Sequence, residues 1–88
     1  IDFLFKGILT LDSVEECYSF FEDLCTVAEL QEMSKRLLAA KMLRENYIYT
    51  EIAEKTGLST ATISRVNRCL KYGSDGYMTV LDRLERSK

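Results

Sequence analysis

The stretch from Tyr49 to Leu70, YTEIAEKTGLSTATISRVNRCL, restricts the fold of this chain more than any other. Two short helical patterns meet at Gly57. Ile52 and Ala53 lie in the first, Leu58 in the turn, and Ile63 and Val66 in the second. Ala53 is small where the second helix must cross closely over the first. Gly57 supplies a turn entered at positive φ. Ile52, Leu58, Ile63 and Val66 form an apolar wedge that fixes the angle between the two helices. These residue types at these offsets make a helix-turn-helix, whose second helix enters the major groove of DNA. Thr56 fits least well, because the position before the glycine is usually apolar.

The second helix has the chemistry for that task. Ser59 is its expected N-cap. With Ile63 and Val66 facing inward, Thr60, Ala61, Thr62 and Arg65 are expected to face outward, and Arg68 extends the same face by a turn. Short side chains at the helix start let its backbone lie deep in a groove. The hydroxyls of Thr60 and Thr62 can bond base edges or phosphates, and the methyls of Ala61 and the threonines can touch thymine methyls. Arg65 can take a guanine bidentately, a contact that discriminates by about 1–3 kcal/mol. Arg68, Lys71, Lys55 and Lys41 read as phosphate contacts, which set register without choosing sequence. Backbone N–H groups at the helix start favour an anion as well. Thr50 is the expected cap of the first helix. The expected DNA-binding set is therefore Thr50, Lys55, Ser59, Thr60, Ala61, Thr62, Arg65 and Arg68.

Net charge is −2 with a pI near 5.1, which by itself argues against a nucleic-acid partner. The distribution argues otherwise. Residues 1–32 hold one basic side chain (Lys6) against eight acidic ones, whereas residues 33–72 hold eight basic against three acidic. Phosphate contacts depend on the local basic face, and the basic residues cluster on the motif.

The rest of the chain supplies a helical body. Residues 1–12, with Phe3, Leu4, Phe5, Ile8 and Leu9 around Gly7, form an apolar arm expected to be partly helical and laid across a partner subunit. Ser13-Val14-Glu15-Glu16 is a capping box. The helix after it carries Val14, Cys17, Tyr18, Phe21, Leu24 and Cys25 on one stripe, widened by Phe20, and reads as a dimerisation helix. Thr26-Val27-Ala28-Glu29 repeats the box and opens a longer helix through Arg44. That helix is apolar on nearly every face and is expected to be central and well covered, with Ala39 and Ala40 admitting a close neighbour. Asn46 can end it in a left-handed cap. Gly73 stops the reading helix, Ser74-Asp75-Gly76 is a turn, and Tyr77, Val80, Leu81 and Leu84 give a last amphipathic helix.

Eighty-eight residues of which 47% are apolar make one small domain with more apolar surface than it can hide, so a shared dimer core is the natural outlet. No apolar run approaches the ~18 residues of a membrane span, and the absence of an initial Met leaves the natural N-terminus open. Cys17, Cys25 and Cys69 are odd in number, far apart and without any histidine, which excludes a zinc site and favours the reducing cytoplasm. Cys17 and Cys25 read as buried small hydrophobes. Without histidine, and with no cysteine beside a base, acid–base and nucleophilic catalysis have few players, and an enzyme is disfavoured.

The chain resembles the Trp repressor superfamily, and most of all its Trp-repressor-like YerC/YecD family of bacterial proteins. DLCTVAELQEMSKRLLAAKML, YTEIAEKTGLSTATISRVNRCLKYG and DGY carry the resemblance, which spans roughly residues 12–77. It implies an all-α, intertwined homodimer whose paired helix-turn-helix heads bind successive major grooves of a bacterial operator. In the tryptophan-binding members two arginines sandwich the indole. Arg65 matches one, and Lys35 or Arg36 the other. Val66 replaces the family's glycine and would crowd a planar ligand, and Cys69 replaces a serine that holds the ligand's polar end. The resemblance thus marks Lys35, Arg36, Arg65 and Cys69 as an effector pocket, with tryptophan disfavoured and a small-molecule corepressor left open; no other cofactor is expected.

The expected organisation is a single domain over 1–88, with arm and dimerisation helices to 46, the helix-turn-helix over 47–72 and a C-terminal helix over 73–88. The expected function is that of a homodimeric, sequence-specific DNA-binding regulator, a repressor on a palindromic operator, with double-stranded DNA as partner and neither membrane nor metal. The competing reading is a helical protein-interaction module of the transcription machinery that uses the same αα-corner without reading DNA sequence.

Overall fold

The computed structural model describes residues 1–87. Six helices follow in order: α1 Asp2–Ile8, α2 Val14–Leu24, α3 Val27–Arg44, α4 Tyr49–Thr56, α5 Thr60–Tyr72 and α6 Gly76–Arg86. No strand occurs among the described residues. They gather into two compact units, Ile1–Gln31 and a second that begins at Glu32.

In the first unit the helix starts are set locally. Ser13 is extended and its Oγ accepts the Glu16 N–H at 3.1 Å. The Glu16 carboxylate meets the amide of Asp12 at 2.7 Å rather than that of Ser13, so the box closes on the residue before the cap. At Thr26 the box is reciprocal. Its Oγ1 accepts the Glu29 N–H at 3.1 Å, and its own N–H donates to Glu29 Oε1 at 2.9 Å. The Thr26 backbone N–H foremost, and the Thr26 side chain after it, hold the Glu29 carboxyl below its ordinary pKa.

No residue of α1 or α2 is buried. Phe3 is 90% exposed and Tyr18 59%. Phe20 and Phe21 are half-buried and meet edge to face, with ring centroids 5.4 Å apart. The expectation of buried thiols fails in the single chain, where Cys17 is exposed and Cys25 half-buried. The apolar stripe they share lies open within its own unit.

The core belongs to the second unit: Ala39, Ala40, Met42, Ile52, Leu58, Ile63, Val66 and Leu81. Leu37, Leu43, Tyr49, Ala53, Leu70 and Tyr77 pack around it. Ala39 and Ala40 are fully buried, as two small residues under closely approaching neighbours should be. The buried residues of α3, Ala39, Ala40 and Met42, all lie in its last third, while Met33 and Leu38 stay exposed. The helix ends in a Schellman motif. Asn46 takes φ +69, its N–H donates to Leu43 O, and the Tyr47 N–H donates to Met42 O. Gly73 ends α5, where an added Cβ would collide with the Cys69 carbonyl. Asp75, at φ +64, turns the chain into α6.

Candidate nucleic-acid interface

Helix α4 begins earlier than a Thr50 cap requires. Ile48 is the N-cap, and the Glu51 carboxylate accepts its N–H at 3.1 Å. An orphan amide is thereby satisfied without a hydroxyl, and Thr50 stands exposed in the first turn. The helix closes on Gly57, which is left-handed at φ +77 and donates its N–H to Ala53 O at 2.8 Å. Ile52, Leu58, Ile63 and Val66 are all buried, so the expected wedge is present. Helix α5 packs against both α4 and α6.

Among the described residues Thr56 is the one buried polar residue, at 5% exposure. Its Oγ1 donates to Ile52 O at 2.7 Å and accepts the Leu58 N–H at 3.2 Å. The hydroxyl therefore bridges the end of α4 to the turn.

Ser59 caps α5, with Oγ accepting the Thr62 N–H at 3.1 Å and donating to Thr62 Oγ1 at 3.1 Å. Thr60, Ala61, Arg65 and Arg68 are exposed, as their spacing against Ile63 and Val66 requires. Thr62 is only half-buried rather than fully outward, because it leans toward its cap. Ser64 is exposed as well, one helical turn beyond Thr60 and Ala61. Sequence reasoning passed over it, although the same i, i+3 and i, i+4 spacing could have found it.

The cations divide into two groups. Arg44 is 28% exposed in its side chain and pairs with Asp82 and with Glu85 on α6, the latter at 3.4 Å, which ties α3 to α6. Its Nη1 is buried with no partner among the described residues. Arg36 pairs with Glu32 at 3.6 Å one turn back on α3. Lys41, Lys55, Arg65, Arg68 and Lys71 are exposed and pair with no carboxylate among the described residues. A solvent-facing ridge of short hydroxyls, a methyl and arginines therefore stands on a rigid apolar underside. Such a ridge can offer hydrogen bonds and positive charge to a polyanion.

The family model for Trp repressor protein matches residues 1–85. The chain belongs to the Trp repressor family. Over all 88 of its residues it is 53% identical to the uncharacterized protein YerC of Bacillus subtilis (strain 168), of which it covers 85%. It is similar in structure to a TrpR-like protein from Eubacterium eligens ATCC 27750, with a TM-score of 0.93 and 57% identity over 96% of this chain and 87% of that one. A candidate Trp repressor from Staphylococcus aureus gives a TM-score of 0.91 and 55% identity, over 96% of this chain and 84% of that one.

Within this Trp repressor fold, Lys35, Arg36, Arg65 and Cys69 are all exposed side chains, while Val66 is buried beneath α5. A cleft of about 510 Å³ beside α3 and α6 is lined by Lys41, Arg44, Glu45, Leu81, Leu84 and Glu85, and by none of those four. Among the described residues no helix is long and apolar enough to cross a membrane.

Proposed function

We propose that this chain is a homodimeric regulator that binds double-stranded DNA sequence-specifically through α5, as a repressor on a two-fold operator. The observation that carries the reading is the exposed face of Thr60, Ala61, Arg65 and Arg68 on an α5 anchored by Ile63 and Val66. In this reading the start of α5 enters the major groove. Thr60, Ala61, Thr62 and Arg65 meet base edges, and Ser59 brings backbone amides toward a phosphate. Lys41, Lys55, Arg68 and Lys71 hold flanking phosphates, with Thr50 at the rim. The exposed apolar residues of α1 and α2 support the dimer, since an uncovered stripe of this kind calls for a partner surface. Membership of the Trp repressor family supports a regulatory rather than a catalytic role.

Selection of bound duplexes from a random pool tests the reading. It predicts recovery of a palindrome with half-sites about one helical turn, ~34 Å, apart. Thr62→Ala and Arg65→Ala should each weaken binding to the recovered duplex while leaving folding and dimer mass intact. Equal affinity for the recovered duplex and random competitor would refute it. An effector at Lys35, Arg36, Arg65 and Cys69 is not required, and buried Val66 argues against tryptophan there. Added L-tryptophan is expected to leave the affinity unchanged.

A further inference from the structure

We infer that the Thr56 hydroxyl is a positioning group that fixes where α5 stands relative to α4, and through that angle sets sequence preference on DNA. The inference rests on the DNA-reading role proposed for α5. Thr56 occupies the last position of α4, and its side chain is almost entirely enclosed. A buried hydroxyl must be satisfied, and this one is satisfied on both sides of a chain reversal. It donates to Ile52 O at 2.7 Å, inside α4, and accepts the Leu58 N–H at 3.2 Å, beyond the left-handed Gly57. The first bond is the back-bond of a helical threonine, and the second makes an ST-turn. One oxygen atom thus clamps the helix end to Leu58.

Leu58 is itself buried, so its N–H has no water to turn to if the clamp is removed. Leu58 also directly precedes Ser59, the cap from which α5 starts. A displacement of Leu58 therefore moves the origin of the reading helix. An apolar residue at position 56 would fill the same space but leave the Leu58 amide to find a new partner by turning the backbone. Hydroxyl and methyl do different jobs here: the methyl packs, and the oxygen fixes the turn.

The test compares Thr56→Val, which keeps shape and removes the oxygen, with Thr56→Ser, which keeps the oxygen. The probe is the duplex recovered by selection from a random pool, with a scrambled duplex beside it. Binding is measured at a temperature where circular dichroism and light scattering show each variant folded and of wild-type mass. Thr56→Val should bind the selected duplex about tenfold more weakly, the fold-change expected when one base contact of the displaced α5 is lost. Its affinity for the scrambled duplex should stay unchanged, and Thr56→Ser should return to the wild-type ratio. A merely structural role would lower the melting temperature of Thr56→Val and leave the ratio of the two affinities alone, which would overturn the inference. Should Thr56→Val fail to fold, the Leu58 amide decides by hydrogen exchange in the wild-type and Thr56→Ser proteins. Slower exchange than the exposed Ser74 amide in both supports the clamp, and free exchange in either overturns it. If the wild-type protein itself shows no preference for the selected duplex, the DNA reading has failed, an outcome separate from failure of the clamp.

Discussion

Replacement of Gly57 isolates a single physical term. Gly57 sits at φ +77 and ψ 4, and a Cβ built on it would meet nothing within 4 Å. Alanine there therefore creates no clash and removes no packing. What remains is the intrinsic penalty of holding an L-residue in the left-handed region, about 1–2 kcal/mol. Against it stands the smaller entropy of an unfolded chain carrying alanine in place of glycine, about 0.4–1 kcal/mol. The net loss for Gly57→Ala is about 1 kcal/mol, which for a domain of this size lowers the melting temperature by roughly 4–8 °C. Asparagine tolerates the same region better, and this chain already places Asn46 at φ +69 after α3. Valine is β-branched and tolerates it worse.

Thermal unfolding at one fixed protomer concentration, since the melting point of the proposed dimer would depend on it, should therefore rank the losses Asn, then Ala, then Val. Gly73→Ala provides the opposite case. At φ −82 the backbone there is ordinary, but the new methyl would run into the Cys69 carbonyl, so the penalty is steric and local to the end of α5. Equal melting points for Gly57→Ala and wild type would mean that the turn is not left-handed in solution. Alanine proving milder than asparagine would refute the conformational argument outright.

Ile63→Ala removes a fully buried side chain from the underside of α5 and should cost about 2–5 kcal/mol in chemical denaturation, enough to unfold much of the population. Ser59→Asp should separate capping from DNA binding: the carboxylate still accepts the Thr62 N–H, so the melting temperature holds, while its charge opposes phosphate and gel-shift affinity falls. Glu29 should titrate below the ordinary glutamate range by carboxyl NMR. Because its folded pKa is the lower one, its contribution to stability is present above the unfolded pKa and lost as pH falls through the folded value. Removing the Thr26 hydroxyl with Thr26→Val should move that pKa upward.

The features that could be read from the sequence are those settled within a few residues. The Ser59 cap, the reciprocal Thr26–Glu29 box and the left-handed Asn46 each depend on a spacing of four positions or fewer, and each is present. The wedge under α5 was legible because a single period of 3.6 residues decides which side chains face in. Thr50 was misplaced because Glu51 competes for the same orphan amide, and sequence alone does not say which of the two is used. Thr56 registered only as an oddity, since its meaning depends on the burial of Leu58, a tertiary fact. Arg44 engages Glu85 from 41 positions away, beyond any local pattern. The helical stripe places Cys17 and Cys25 on an apolar face, but one chain of this length builds no interior around α2. The apolar stripe was correctly seen, but a stripe alone does not name the surface that covers it.

Counting charge along the sequence credits residues 33–72 with eight cations, but Arg44 is held by two carboxylates and Arg36 by one. Six remain: setting aside Lys35, earlier on α3, the proposed phosphate contacts are Lys41, Lys55, Arg68 and Lys71, with Arg65 reserved for a base. A dimer using all four on each protomer would release counterions with a slope of log affinity against log salt of about −7. Titration of binding to the selected duplex between low and physiological salt measures it directly. Lys71→Ala, present twice in the proposed dimer, should flatten the slope by about 2 and weaken every duplex alike, whereas Arg65→Ala should leave the slope nearly intact and erode the preference between duplexes. Arg44→Ala should flatten nothing and instead loosen α6, because its charge is already balanced by Asp82 and Glu85. A slope near zero in the wild-type protein, or an Arg44 variant that behaves like Lys71→Ala, would mean that the cations engaging phosphate are not the ones the ion pairs leave exposed.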